Sequence, residues 1–277
     1  MALIQVDRGK CEKEGFCVEV CPARILEMDE EKGPQVTPGG APFCIGCGHC
    51  VAVCPHGALD NVRNFLKDQE PLEKLPVVEP ETAMAFLRSR RSIRCYLPEP
   101  LPRDEVIRLL QAARYAPSGH NSQGLSYLVV QGDGPLNRMK EIVVEWMRGV
   151  ILHNPEVARQ FRMEAIVGAC ERGEDPILRG APQVVVATGR KEARPAQAST
   201  FLALEYVELY AAALGLGTCW GGYVMACAQQ SPALSRHLGI PEDRAITGVL
   251  MIGRPRYAYR RVPARDPLDV EWLREEE

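Results

Sequence analysis

Cys44-Ile45-Gly46-Cys47-Gly48-His49-Cys50-Val51-Ala52-Val53-Cys54-Pro55 decides how the N-terminal part of this chain is read. Its C-x2-C-x2-C-x3-C-P spacing wraps three thiolates around one cubic iron–sulfur cluster and sends the fourth, held by proline, to a neighbouring cluster. A second run, Cys11-x2-Glu14-x2-Cys17-x3-Cys21-Pro22, keeps the frame with a glutamate in place of one cysteine. Competing readings fare worse. Zinc sites use separated pairs of ligands rather than triplets spaced by two. Disulfides are disfavoured because Met1 to Arg8 has no secretory character and no long apolar span follows. A reducing, cytoplasmic setting with no membrane partner is therefore expected.

Together the two runs resemble a bacterial two-cluster ferredoxin, over a domain expected at residues 1–62. Crossed ligation, as that resemblance implies, assigns Cys21, Cys44, Cys47 and Cys50 to one complete site, expected to hold a 4Fe-4S cluster. Cys11, Cys17 and Cys54 serve the other, whose fourth corner is Glu14 or nothing. A carboxylate is a harder ligand than a thiolate and holds iron less tightly. This second cluster is then either 4Fe-4S with a non-cysteine ligand or 3Fe-4S, and the sequence leaves both open.

At 277 residues the chain is too long to be a ferredoxin alone. Its 33 basic and 36 acidic residues give a net charge of −3 without a long basic run, which argues against nucleic acid or an anionic membrane as partner. Cys95, Cys170, Cys219 and Cys227 have no ligand spacing and read as small buried apolar residues. The charged, proline-punctuated stretch around Asp68-Gln69-Glu70-Pro71 reads as a linker over residues 63–81, leaving a second domain over 82–277.

In that domain Thr82 and Asp104 are expected to cap helices, the second with Val106, Ile107, Leu109, Leu110 and Ala113 on its apolar face. A longer helix is expected over 199–214, stopped by Gly215 and Gly217. Further helices are expected over 136–147, over 156–170 and near Leu234. The β-branched runs 125–131, 184–188 and 247–253 read as buried strands.

Arg90-Arg91-Ser92-Ile93-Arg94 places three guanidinium groups and a hydroxyl within five residues, a set that suits a phosphomonoester and equally a solvated helix end. Ala116-Pro117-Ser118-Gly119-His120-Asn121-Ser122-Gln123 is a polar turn able to hydrogen-bond a heterocycle. Leu214-Gly215-Leu216-Gly217-Thr218-Cys219-Trp220-Gly221-Gly222-Tyr223 offers bare backbone that a flat ring can approach, although a helix C-cap and tight turn explain its glycines unaided. The order of these elements, closed by Ile252-Gly253-Arg254-Pro255, resembles the flavin-dependent nitroreductase family. With the N-terminal module it resembles ferredoxin-fused nitroreductases.

The resemblance implies an α+β chain: a ferredoxin-like iron–sulfur domain, then a mainly antiparallel central sheet surrounded by helices. It also implies FMN at the interface of an intertwined homodimer. By carry-over, Arg90, Arg91, Ser92 and Arg94 hold the phosphate, ribityl and pyrimidine end, with Arg265, or Arg261 as substitute, completing the phosphate site. Asn121 and Gln123 contact the ring edge, Pro117 and Ser118 line the site from the partner subunit, and Gly221 and Gly222 cover the ring. Gln123-Gly124-Leu125 departs from the Gln-Pro-Trp of many relatives, and no Gly-x-Gly-x-x-Gly follows a strand to bind a separate dinucleotide.

The implied function is an oxidoreductase in which an external donor, such as a ferredoxin or reductase, feeds the clusters. The clusters pass electrons to FMN, which reduces a small nitro, quinone or enone substrate. Reductive dehalogenation, substrate oxidation and a non-catalytic electron-transfer or redox-sensing relay are the alternatives. The excursion over 145–180 is where the family sets substrate choice, with Arg159, Arg162, Glu164, Glu171 and Arg172 among its charges, each equally readable as a solvated helix face. No catalytic proton donor is legible.

Overall fold

The structure, a computed structural model, describes residues 2–193 and 196–274. The chain divides into two compact units: one runs to Glu79 and includes Pro117–Gly124, the other comprises Pro80–Ala116 and the chain from Leu125 onward.

The first unit repeats one short pattern twice. Strand β1 (Ile4–Val6), helix α1 (Phe16–Glu19), strands β2 (Leu26–Asp29) and β3 (Gly33–Val36), helix α2 (His49–Ala52) and strand β4 (Leu59–Asn61) follow in order. β1 pairs with β4 and β2 with β3, both antiparallel. Each helix is a single turn entered through a left-handed glycine, Gly15 at φ 89° and Gly48 at φ 75°. At Gly48 the requirement is double, because a Cβ there would also meet the Asn64 side chain at 2.7 Å. Leu3, Ile25, Leu26, Val51 and Leu59 form the small core, joined by Cys50.

Residues 63–79, expected as linker, belong to this unit and carry two 3-10 turns, Leu66–Asp68 and Leu72–Lys74. Polar side chains in that stretch explain why. The Asn64 amide donates to the Gly46 carbonyl, and the Gln69 amide donates to the Gly48 carbonyl at 3.4 Å and to Asn64 Oδ1 at 2.9 Å.

The second unit contains α3 (Pro80–Ser89), α4 (Arg103–Ala113), β5 (Ser126–Gln131), α5 (Asp133–His153), α6 (Pro155–Gln160), α7 (Met163–Glu171) and β6 (Gln183–Arg190). It continues with α8 (Ala196–Ala213), β7 (Gly217–Trp220), α9 (Gly222–Gln230), α10 (Pro232–His237) and β8 (Arg244–Gly253). The four strands form one antiparallel sheet in the order β5-β6-β8-β7. The strand period of two separates the faces. Val184, Val186, Val249 and Met251 pack on the side of α5, α7 and α9, while Val185, Ala187, Leu250 and Ile252 pack on the side of α4 and α8. The expected antiparallel sheet between helices is therefore what the chain forms.

The helix ends differ from expectation. Thr82 lies inside α3, and Asp104 sits in the first turn of α4 behind Pro102, where its charge favours the helix dipole without capping it. The segment 156–170 is two helices because Arg162 turns left-handed at φ 53°. Gly215 ends α8 at φ 69°, and Leu216 N–H then bonds back to the Ala211 carbonyl. Gly217–Trp220, read as a turn, is instead the edge strand β7. Cys95 is exposed rather than buried.

One buried acid joins these parts. The Glu208 carboxylate on α8, 2% exposed, accepts from Thr218 Oγ1 at 2.9 Å and Trp220 Nε1 at 2.7 Å on β7, and faces Arg90 at 3.5 Å. Ile93 N–H donates to the Thr218 carbonyl, so the arginine segment after α3 is laid against the same strand. Burial pushes the neighbouring Glu205 carboxyl up, Glu208 adds to this, and Arg90, 3.7 Å from Glu205, opposes it. Removing one partner of such a buried set costs about 3–5 kcal/mol, because the others are left unpaired. Glu208→Ala should lower stability by about that much, and Glu208→Gln, which keeps an acceptor and the volume, by less. Urea unfolding followed by tryptophan fluorescence measures both, and a Glu208→Ala protein as stable as the parent would contradict this role.

Candidate functional site

In the first unit the thiols of Cys21, Cys44, Cys47 and Cys50 line one cavity together with Leu3, Ile25 and Asn61. Asn61 is almost fully buried, and its amide points at two of the sulfurs, 3.8 Å from Cys44 Sγ and 3.9 Å from Cys50 Sγ. Its own carbonyl oxygen accepts from Arg63 N–H at 2.9 Å, which fixes the orientation. The Arg63 side chain donates in turn to the Cys44 carbonyl.

Cys17 feels Cys50 as well as Cys54 and Cys11, while Cys50 feels Cys47, Cys44 and Cys21. Burial is the main cause that pushes both the Cys17 and Cys50 thiols up. Cys21, Cys44, Cys47 and Cys50 share one cavity, and the influence of Cys50 on Cys17 reaches from it to the neighbouring thiols. Among the described residues no three Cys, His, Asp or Glu side chains converge on a single ion. Thiols ringed around a cavity fit a cluster of several irons, in which each sulfur binds a different corner. The Glu14 carboxylate lies 3.4 Å from His56 Nε2, the residue after Cys54-Pro55.

The loop Pro117–Gly124 belongs to this same unit. Asn121 donates its amide to the Ile45 carbonyl at 3.1 Å, between two of the cluster cysteines, and accepts from the Gln123 amide at 3.2 Å. Gln123 N–H donates to Ser118 Oγ at 3.1 Å. His120, Asn121 and Gln123 all hold positive φ, at 53°, 52° and 45°, a local strain that the surrounding hydrogen bonds must sustain.

In the second unit the segment Arg90–Arg94 borders two cavities. One, about 460 Å³, is lined by Arg88, Arg90, Arg91 and Arg265 with Leu87 and Val262–Ala264. Among the described residues, four guanidinium groups and no carboxylate line it. Arg91 Nε is buried with no hydrogen-bond partner among the described residues, and its terminal nitrogen donates to the Arg90 carbonyl. An orphaned guanidinium N–H in an all-basic hollow is the arrangement a phosphate would satisfy. Arg90 is partly committed to Glu205 and Glu208, so Arg91 and Arg265 are the freer pair. Arg261 does not line this hollow.

The other cavity, about 520 Å³, is lined by Arg94, Cys219, Trp220, Gly222 and Tyr223, and across from them by residues of the 145–180 excursion. Trp146, Val150, Val157, Phe161, Met163, Ile177 and Arg179 supply that wall, whereas Arg159, Arg162, Glu164, Glu171 and Arg172 do not. The two glycines differ. A Cβ on Gly222 would enter open space, while one on Gly221 would strike Val249 at 2.8 Å, so Gly222 faces the cavity and Gly221 serves strand packing. Ser92 holds the segment to β7 through a backbone bridge with Thr218. A ring cavity and a phosphate hollow on one short segment suit a flavin mononucleotide in size and charge.

Sequence reading missed Glu208, Arg179, Asn61 and Tyr96. Tyr96 is buried, its hydroxyl has no partner among the described residues, and burial pushes its pKa far up.

Residues 87–254 match the nitroreductase family, and residues 10–58 match the 4Fe-4S dicluster domain. A relative from Archaeoglobus fulgidus, whose name pairs NADH dehydrogenase with NAD(P)H nitroreductase, is 28% identical over 176 residues, spanning 64% of this chain and 87% of the relative. An NADH dehydrogenase of Thermus thermophilus is 28% identical over 201 residues, spanning 68% and 94%. An FMN-bound nitroreductase of Bacteroides fragilis superposes with a TM-score of 0.54 at 22% identity, covering 68% of this chain and 98% of its own. An FMN-bound nitroreductase of Desulfitobacterium hafniense gives 0.55 at 20%, covering 69% and 97%. At these identities the two structures speak for the fold. With the family match spanning well over half of the residues, the chain belongs to the nitroreductase family and carries a 4Fe-4S dicluster domain ahead of it.

Proposed function

We propose that two iron–sulfur clusters in the N-terminal unit feed electrons, taken from an external donor such as a ferredoxin or reductase, to FMN for the reduction of a small nitro, quinone or enone compound. The chain is a flavin oxidoreductase of the nitroreductase type. When bound, FMN accepts electrons singly and delivers them in pairs as hydride. The observation that carries the reading is the open 520 Å³ cavity beside Arg94 and Gly222. The flavin ring takes the Arg94–Gly222 side of this cavity, and the apolar wall of the 145–180 excursion across from it leaves a small substrate room to stack on the ring, which a pure relay does not require.

In this reading Arg91 and Arg265, helped by Arg88 and Arg90, hold the phosphate. Arg94 and Gly222 flank the ring, with Ser92 and Gly221 setting the backbone there. Pro117, Ser118, Asn121 and Gln123 keep the site-lining roles that the family resemblance gives them. Cys21, Cys44, Cys47 and Cys50 hold a 4Fe-4S cluster, and Cys11, Cys17 and Cys54 hold the other. The protein acts as a homodimer in a reducing cytoplasm. The extended tail after β8 leaves Leu268 and Trp272 exposed, apolar surface that a second copy would cover.

Denaturing the anaerobically purified protein should release FMN, and a screen of nitro, quinone and enone acceptors should give turnover. Release of FAD or of no flavin contradicts the reading, and oxidation only by a protein partner supports the relay instead. The double variant Arg91→Gln/Arg265→Gln should bind FMN at least about tenfold more weakly, since each loses a charge-assisted hydrogen bond. Fluorescence titration of the apoprotein with FMN measures this.

Glu14 decides the second cluster. Without a fourth thiolate its exposed iron should be labile, so mild oxidation should give a 3Fe-4S EPR signal from one cluster only. Glu14→Cys should suppress that signal. A signal of the same size in the variant would show that this position does not reach the cluster.

A further inference from the structure

The cavity beside Gly222 is apolar and aromatic over most of its wall, with Trp146, Phe161, Trp220 and Tyr223 around it. Its charged lining consists of two residues of the same sign, Arg94 and Arg179. Among the described residues neither guanidinium has a carboxylate within ion-pairing distance, whereas Arg148 and Arg172, which lie outside this lining, are paired with Glu171 and Glu174. Both act on the Cys219 thiol and the buried Tyr96 hydroxyl, as does the Glu208 carboxylate, which is already committed to Thr218, Trp220 and Arg90, so the two cavity guanidinium groups converge on one region.

Arg179 is placed there by its loop. It holds φ 57°, a left-handed conformation unfavourable for arginine. Asp175 locks it in place: its carboxylate accepts from Leu178 N–H at 2.8 Å and from Gly180 N–H at 3.1 Å, the residues on either side, and its carbonyl accepts from Arg179 N–H at 2.9 Å. Lys140 faces the same carboxylate at 3.5 Å. Asp175 is therefore spent on the backbone and Lys140, and does not neutralise the guanidinium beside it.

Arg94 borders the ring end in the proposed function, which leaves Arg179 without a stated partner. We propose that Arg179 is a specificity residue that pairs with an anionic group on the substrate, so that the substrate class is an aromatic or conjugated carboxylate. The aromatic walls take the flat apolar body, and the guanidinium takes the carboxylate by a bidentate fork. This proposal rests on the reading of the cavity as the substrate site of a flavin enzyme.

The test compares 4-nitrobenzoate with the neutral 4-nitrobenzamide on the full-length holoprotein. Binding is read from quenching of tryptophan fluorescence, since Trp146 and Trp220 line the cavity, and kcat/KM is read in parallel with a chemical reductant. The parent should bind the benzoate at least about tenfold tighter than the amide. Arg179→Gln should abolish that preference while leaving amide binding intact, and Arg179→Lys should restore part of it. Equal affinities in the parent, or a preference that survives Arg179→Gln, would overturn the proposal. Loss of FMN from Arg179→Gln with the preference intact would also overturn it, marking the residue as a cofactor contact. If no flavin is present at all, the proposed function fails, but the fluorescence comparison still decides the carboxylate preference. A thermal melt unchanged from the parent shows that the variants are folded.

Discussion

Burying Glu208 in the middle of α8 is the constraint on which the flavin-domain site depends. An isolated carboxylate inside a protein is strongly disfavoured, so the chain must bring donors to it. Those donors are Thr218 and Trp220 of β7 and the Arg90 guanidinium. Satisfying one acid therefore docks the edge strand, orients the Trp220 ring that forms a cavity wall, and anchors the start of the arginine segment. Phe201 of α8 packs edge-on against the same ring at 5.3 Å, which leaves Trp220 little freedom. Phosphate hollow and ring cavity then follow as the two sides of a segment whose position is already fixed.

A comparable economy operates in the iron–sulfur unit, where the core is too small to hold long loops by apolar burial alone. Backbone carbonyls between Cys44 and Gly48 are instead tied by side-chain amides and a guanidinium from Arg63, Asn64, Gln69 and Asn121. The tight path between ligands needs left-handed backbone at Gly46 and Gly48. This explains why the first part of the expected linker, Arg63–Gln69, is held to the unit, because its polar side chains hydrogen-bond the cluster loop, while the described side chains over 70–79 are exposed.

Much of this was legible in the sequence, for identifiable reasons. The cysteine spacing specifies a geometry, so a two-cluster iron–sulfur module could be written down in advance. Val184–Thr188 and Thr247–Gly253 are β-branched runs between breakers, and they are the two central strands. Thr82 and Asp104 misled because cap propensity competes with proline at a helix start, and Pro80 and Pro102 won. Gly217–Trp220 misled because glycine suggested a turn, whereas Gly217 is needed where a Cβ would strike Ile93 at 2.8 Å. Glu208 showed only as an acid at helical spacing among apolar residues, a pattern shared with any solvent-facing position. In the 145–180 excursion the charges drew attention, yet the cavity is lined by its apolar residues and by Arg179, whose signal is a lone arginine before glycine.

The two cluster sites are chemically unequal, and the inequality is built into their surroundings as well as their ligands. At the four-cysteine site a buried amide points at two sulfurs, and hydrogen bonds to sulfur stabilise the more negative, reduced cluster. At the other, Cys54 Sγ accepts from Ala58 N–H at 3.3 Å, and the sequence position of the missing thiolate is held by Glu14, whose carboxylate lies beside His56. Ligand type, net charge and hydrogen bonding to sulfur all set cluster potential. In the proposed two-cluster reading, these differences in ligand set and surroundings are what sets the direction of electron flow between the clusters.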